Sequence, residues 1–229
     1  MGEVFVVSLG GSLVVPSGID VDFLCDFRKH VEEFLDRSGA RIVFVVGGGA
    51  TARLYQSAMR SVNPGISSDA LDMIGIRATR MNALVVKELF GCQDDVVEDP
   101  NAPDVSFSGK VLVAAGWKPG FSTDMDAVVL AKRFGAKVCI NLSNIDRVYT
   151  ADPKKDPEAK PLDDISWNDF ISDIVGTKWI PGSNYPFDPI ASQFARDNGL
   201  TVICANGGRI GNTISILEGK PFVGTRMHP

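Results

Sequence analysis

A strand that ends on a glycine turn and runs into a helix occurs twice in succession near the start of the chain, and this repeat constrains the fold most. Val4 to Leu9 is a β-branched apolar run closed by Gly10-Gly11-Ser12, and Asp20 to Leu35 then carries apolar residues at helical spacing through Phe23, Leu24, Phe27, Val31 and Phe34. Arg41 to Val46 repeats the strand, Gly47-Gly48-Gly49 the turn, and Ala50 to Met59 the helix. Near-continuous apolar strands separated by helices predict a parallel sheet buried on both faces, because a parallel connection has to cross over through a covering element.

The remaining segments extend the alternation. A long helix is expected over Ala70 to Phe90, strands over Lys110 to Ala114, Lys137 to Leu142 and Leu200 to Cys204, and a helix from about Asp124 to Phe134. Asp163 to Ile174 and Pro189 to Asn198 read as two further helices. No internal repeat, low-complexity segment or linker interrupts the pattern, so the fold class is α/β: a three-layer α/β/α, doubly wound, mainly parallel sheet in one domain over residues 1–229. With 229 residues and 45% hydrophobic content the chain can bury a continuous core.

Charge and cysteine usage narrow the partners. The net charge of −5 and the lack of any Lys/Arg run argue against nucleic-acid or membrane-surface binding, which need concentrated positive charge. Cys25, Cys92, Cys139 and Cys204 stand far apart without paired spacing and read as reduced thiols, with only His30 and His228 to join them, so no metal-ligand set is assigned. The N-terminal residues have no basic leader or clean cleavage site and no run is long enough to span a bilayer, which makes a cytoplasmic protein the expectation.

Four stretches carry the chemistry. The two glycine turns let backbone N–H groups approach an oxyanion ahead of a helix N-terminus, although either is equally readable as a tight strand-to-helix turn. Neither has the spacing of a P-loop or a dinucleotide fingerprint. The third stretch, Gly116 to Asp124, follows a strand and opens a helix; Ser122, Thr123 and Asp124 suit a helix cap, and its hydroxyls, amides and Lys118 equally suit a phosphate or a base. The fourth, Asn144 to Pro153, follows a strand at the position where open α/β sheets bind ligands.

In their order along the chain, Gly10-Gly11-Ser12, Gly47-Gly48-Gly49 and Asn144-Ile-Asp-Arg-Val-Tyr-Thr-Ala-Asp-Pro153 resemble the phosphate loops and nucleotide loop of the amino acid kinase family over essentially the whole chain. Ala50-Thr-Ala-Arg53, Asp72 to Ala83 and Trp117 to Asp124 resemble the archaeal type of uridylate kinase within it. Acetylglutamate, carbamate and isopentenyl phosphate kinases share the glycine loops without this combination. The resemblance implies Mg²⁺-dependent phosphorylation of UMP by ATP, giving UDP for pyrimidine nucleotide biosynthesis, in a homohexamer built as a trimer of dimers.

Position by position, the resemblance implies that Ser8, Leu9, Gly10, Gly11, Ser12, Gly49 and Arg53 surround the ATP phosphates, while Ser143, Asn144, Tyr149 and Asp152 hold the rest of ATP. Gly48, Asp72, Trp117, Lys118, Pro119, Gly120, Phe121, Ser122 and Thr123 would hold UMP. The catalytic set it implies is Gly10, Gly11, Ser12, Arg53 and Lys118. Taken alone, Asp72, Arg53, Arg77 and Arg80 read as solvated helix charges. A carboxylate at Asp72 also suits ribose hydroxyls, which it can accept from.

Three departures from the family matter. Ser8 stands where many members carry a lysine, which moves charge stabilisation to Mg²⁺, loop amides and a cation such as Lys118 or Arg53. Arg147 replaces a usual glycine after Asp146, and Trp117 and Phe121 are bulkier than common. Another phosphotransferase of the same fold is one alternative. The other is a noncatalytic nucleotide- or oxyanion-binding protein for storage or regulation.

Overall fold

The computed structural model describes residues 2–178 and 185–229. Its central sheet is built from β1 (Val4–Leu9), β2 (Arg41–Val46), β3 (Val111–Ala114), β4 (Val138–Ser143), β7 (Asp164–Ser166), β8 (Thr201–Asn206) and β9 (Thr225–His228) in the order β3-β2-β1-β4-β8-β9-β7. The strands run parallel except where β9 lies antiparallel to β8. β5 (Val148–Tyr149) and β6 (Pro161–Leu162) form a separate two-stranded hairpin.

Strand periodicity divides the core in two. Phe5, Val7 and Leu9 of β1 and Ile42, Phe44 and Val46 of β2 point to one face, where they pack with Phe27, Val31 and Phe34 of α2 (Val21–Ser38), Ala83 and Val86 of α4 (Ser68–Phe90) and Ile216 of α8 (Ile210–Leu217). Val6, Val43 and Val45 point to the other, towards Ala127 and Leu130 of α5 (Thr123–Phe134) and Ala191 and Ala195 of α7 (Pro189–Asp197). This two-sided burial explains the unbroken apolar strands. Complete burial of each large side chain in them contributes about 1.5–3 kcal/mol.

The helices stop where the backbone can turn. Asp20, Ser67 and Ser122 cap α2, α4 and α5 through side-chain oxygens, and Gly39, Gly91 and Gly135 close the same helices in the left-handed conformation. The apolar face of α2 packs into the core.

One predicted element is wrong. Asp163 to Ile174 is not a single helix: Asp164 to Ser166 form β7, paired in register with Arg226 to His228, and only then come a short helical turn, α6 (Trp167–Asp169), and a π-helical turn over Phe170–Val175. The apolar spacing was real, but long-range pairing with β9 captures its first residues as strand. The short α1 (Gly11–Val14), the β5–β6 hairpin, α8 and β9 had no counterpart in the sequence reading.

Candidate functional site

The site lies at the carboxyl ends of the parallel strands. In the sheet order β1 is the turning point: the chain passes from it to β2 and β3 on one side, then returns to β4 and β8 on the other. Open α/β sheets bind ligands at such a crevice. Here it is closed by backbone, since Gly10 N donates to Leu142 O (2.8 Å) and Gly47 N to Leu9 O (3.0 Å).

The two glycine turns, far apart in sequence, are packed backbone against backbone. A Cβ at Gly11 would collide with Gly49 N and Gly47 O, and one at Gly47 would stand 2.6 Å from Gly11 N. Gly49 also has φ of 59°, a conformation that L side chains disfavour. Glycine is therefore required by contact at Gly11 and Gly47 and by both contact and dihedral at Gly49. Gly11 opens α1, with Ser12 in its first turn, and Gly48 and Gly49 open α3 (Gly49–Val62), whose exposed Arg53 lies one turn on. Asn82 of α4, which the sequence reading passed over as part of a motif, donates to Gly47 O (2.9 Å) and Gly48 O (3.1 Å) from a buried position.

Ser8 and Asp124 meet beneath these turns. Ser8 Oγ donates to Asp124 Oδ1 (3.3 Å), and Asp188 N donates to Oδ2 (3.2 Å). Desolvation, with the Asp188 carboxylate adding to it, pushes Asp124 up to about 7. In the sequence Asp124 stands out only as part of a cap and a motif. The helix cap itself is Ser122, whose Oγ accepts from Met125 N (3.2 Å).

The 116–121 loop is tied to α4 and α5 at four points. Gly116 N donates to Thr79 Oγ1 (2.8 Å), Arg80 Nη2 to Trp117 O (3.2 Å), Trp117 N to Asp126 Oδ2 (3.2 Å) and Gly120 N to Asp72 Oδ2 (3.2 Å). Asp72 thus touches the loop that the sequence had grouped with it. Arg80 is not a solvated charge: it is mostly buried and also pairs with Glu98. Lys118 Nζ stands 3.8 Å from the Trp117 ring centre and 4.8 Å from that of Phe121, and these rings meet edge to face. The bulky aromatics hold the lysine. Gly120 reverses the loop at φ of 79°, between Pro119 and Phe121, and Thr123 begins α5.

The fourth stretch is fixed from further along the chain. Asp146 accepts from Asn206 Nδ2 (2.9 Å) and Arg209 Nη2 (2.6 Å), and Ser143 O from Gly207 N (2.9 Å). Arg147 pairs with Asp163 (2.6 Å), and no non-glycine residue among those described has positive φ, so the missing glycine leaves no backbone strain. Asn144 is exposed and Tyr149 belongs to β5. Asp152 caps its own turn by accepting from Lys154 N (3.0 Å). The hairpin hangs on Thr225, whose buried hydroxyl accepts from Val148 N (2.8 Å) and donates to Leu162 O.

The described residues contain no group of three His, Cys, Asp or Glu that could hold a metal ion, and no helix among them is long and apolar enough to cross a membrane.

Comparison with known proteins agrees with this fold. The profile of the amino acid kinase family matches residues 3–206. The uridylate kinase of Thermoplasma volcanium is 36% identical over 229 residues, spanning 99% of this chain and 98% of its own, and that of Methanocorpusculum labreanum is 38% identical over 88% and 86%. The crystal structure of uridylate kinase from Archaeoglobus fulgidus superposes with a TM-score of 0.81 at 31% identity, covering 99% of this chain and all of the other. The chain belongs to the amino acid kinase family.

Proposed function

We propose that this protein transfers the γ-phosphoryl group of ATP to the phosphate of UMP, giving ADP and UDP. The observation that carries this reading is the convergence of the 116–121 loop, anchored to Asp72, with the paired glycine turns at the sheet's carboxyl edge. The uridylate kinase relatives, aligned over nearly the whole chain, support UMP as the acceptor.

In this reading Ser8, Leu9, Gly10, Gly11, Ser12, Gly49 and Arg53 surround the ATP phosphates, and Ser143, Asn144, Tyr149 and Asp152 serve the nucleoside. Gly48, Asp72 and residues 117–123 receive UMP. Phosphoryl transfer needs alignment and charge stabilisation more than covalent chemistry. Turns interlocked this closely fix the amide positions before substrate arrives. Arg53 and Lys118 are the cations assigned to the phosphates, Lys118 being held on Trp117.

Mg²⁺ fits the site in one way only. Asp124 offers a single carboxylate next to Ser8, and no all-protein cage exists among the described residues, so the ion would be held mainly by phosphate oxygens, as Mg²⁺ commonly is. When bound it supplies charge neutralisation of the transferring phosphoryl group. We assign the reaction to the cytoplasm and to one domain formed by residues 1–229. We also assign it to a hexamer, in which the exposed Leu54, Tyr55 and Val62 of α3 and Met81 and Leu84 of α4 supply apolar surface to cover.

Purified protein incubated with ATP, Mg²⁺ and each nucleoside monophosphate tests the reading. UDP formation from UMP in preference to the other acceptors supports it, and equal inactivity on all of them overturns it. The second reading, a noncatalytic nucleotide binder, is favoured by Ser8 in place of a lysine at Asp124, and tight ATP binding without turnover on any acceptor would establish it. Light scattering tests the hexamer.

A further inference from the structure

Asp126 is the one completely buried carboxyl near the site among the described residues, at 0% exposure, and the transfer chemistry above does not use it. One oxygen accepts from Trp117 N, and the other, Oδ1, has no partner among the described residues. The charged groups that face it are themselves acidic: Asp124 on the same helix and Asp99 from the segment alongside β3. Asp188, which caps α7, faces Asp124, while β1 and β2 present Val6, Val43 and Val45 to this side of the sheet. Arg80 is committed to Trp117 O and Glu98. A half-satisfied carboxylate with no facing cation weakens the fold, because burial strips its hydration and nothing replaces it. Desolvation accordingly pushes Asp126 up to about 7.

A residue that weakens the fold and bonds only the first turn of the acceptor loop has its effect on that loop. Thr79 holds the amide before it and Asp72 the amide of Gly120, and among the described residues Asp126 is the one side chain of α5, the helix that also carries Asp124, to hydrogen-bond the loop. We propose that Asp126 is a positioning residue for the acceptor: its carboxylate fixes the Trp117 amide and thereby the 116–121 loop relative to α5, without touching the acceptor itself. This rests on the assignment of that loop to UMP. The Trp117 ring and the Lys118 ammonium stacked on it follow the amide, so losing the bond displaces both.

The test is steady-state kinetics on the full chain carrying Asp126→Val or Asp126→Asn, varying UMP and ATP separately. Asp126→Val removes the acceptor and leaves apolar volume. Its KM for UMP rises about tenfold, the scale of one hydrogen bond to a charged group. KM for ATP stays within about twofold. Asp126→Asn keeps a neutral acceptor and is intermediate, because charge-assisted bonds are roughly twice as strong.

An unchanged KM for UMP in Asp126→Val, or a parallel rise in KM for ATP, overturns the proposal. Should Asp126→Val fail to fold, a KM for UMP in Asp126→Asn equal to the parent's overturns it. A parent that neither binds nor phosphorylates UMP defeats the acceptor assignment, and the proposal falls with it. A parent that phosphorylates UMP beside an unaffected Asp126→Val defeats the proposal alone.

Discussion

Asn82 and Gly47 are 35 residues apart in sequence, yet the Asn82 amide donates to the Gly47 carbonyl at 2.9 Å and to that of Gly48 at 3.1 Å. A single side chain from the middle of α4 therefore sets the position of the second glycine turn. Asn82→Ala would strip two carbonyls of their donor, one of these bonds being fully buried. Stability should fall by about 1–3 kcal/mol in denaturant titration, and KM for ATP should rise, because the turn assigned to the phosphates is no longer held.

Gly11→Ala tests the contact between the turns. Its methyl group meets Gly49 N and Gly47 O, backbone atoms that cannot swing aside as a side chain would. One turn has to move. A displacement of this size at a site that works by alignment should lower kcat by roughly 10²-fold, measured by coupled assay, while the protein remains folded by circular dichroism. Gly18→Ala, where an added methyl meets nothing within 4 Å, serves as the control.

Asp72→Ala should act on one substrate only. It removes the acceptor from Gly120 N, at the far end of the loop from Asp126. KM for UMP is expected to rise about tenfold or more with KM for ATP little changed. Isothermal titration with each nucleotide separates the two effects.

The raised carboxyls also predict how stability depends on pH. Asp124 and Asp126 reach about 7 in the folded protein against 3.8 for a free carboxyl. Between these values the unfolded chain has released the proton and the folded chain has kept it. Each group's contribution therefore falls by up to about 1.4 kcal/mol per unit as pH rises from about 4 to 7, then levels off. Urea unfolding at pH 5 and pH 8 should show it. Asp126→Asn should gain stability over the parent at pH 8 and almost none at pH 4.

What the sequence disclosed depended on how local the cause was. β1 and β2 agree with their apolar runs to the residue, because a strand buried on both faces needs an unbroken run, and a run so short between glycines admits little else. β7 was misread because its partner is β9, beyond the reach of any local pattern, and because the helical spacing of Trp167, Phe170, Ile171 and Ile174 directly after it extends the helix reading back over it. α8 was missed since Gly211, Asn212 and Thr213 are poor helix formers held by packing. Ser12, Gly49 and Asp72 stand out as candidates through their setting in motifs. Thr79, Asn82 and Asp126 do not, because a polar residue on the buried side of a helix reads as a break in its pattern until its long-range partner is known.

Thr225 carries a consequence for how the protein comes into being. Its hydroxyl bridges Val148 and Leu162, 77 and 63 residues earlier. A nascent chain leaves the ribosome N-terminus first and can assemble its glycine turns while the hairpin over 148–162 still waits for its anchor. Pairing at such separation is slow to form. During synthesis, the half of the site assigned to phosphate should therefore mature before the half assigned to the nucleoside, and arrested nascent chains ending before residue 225 should lack an ordered hairpin.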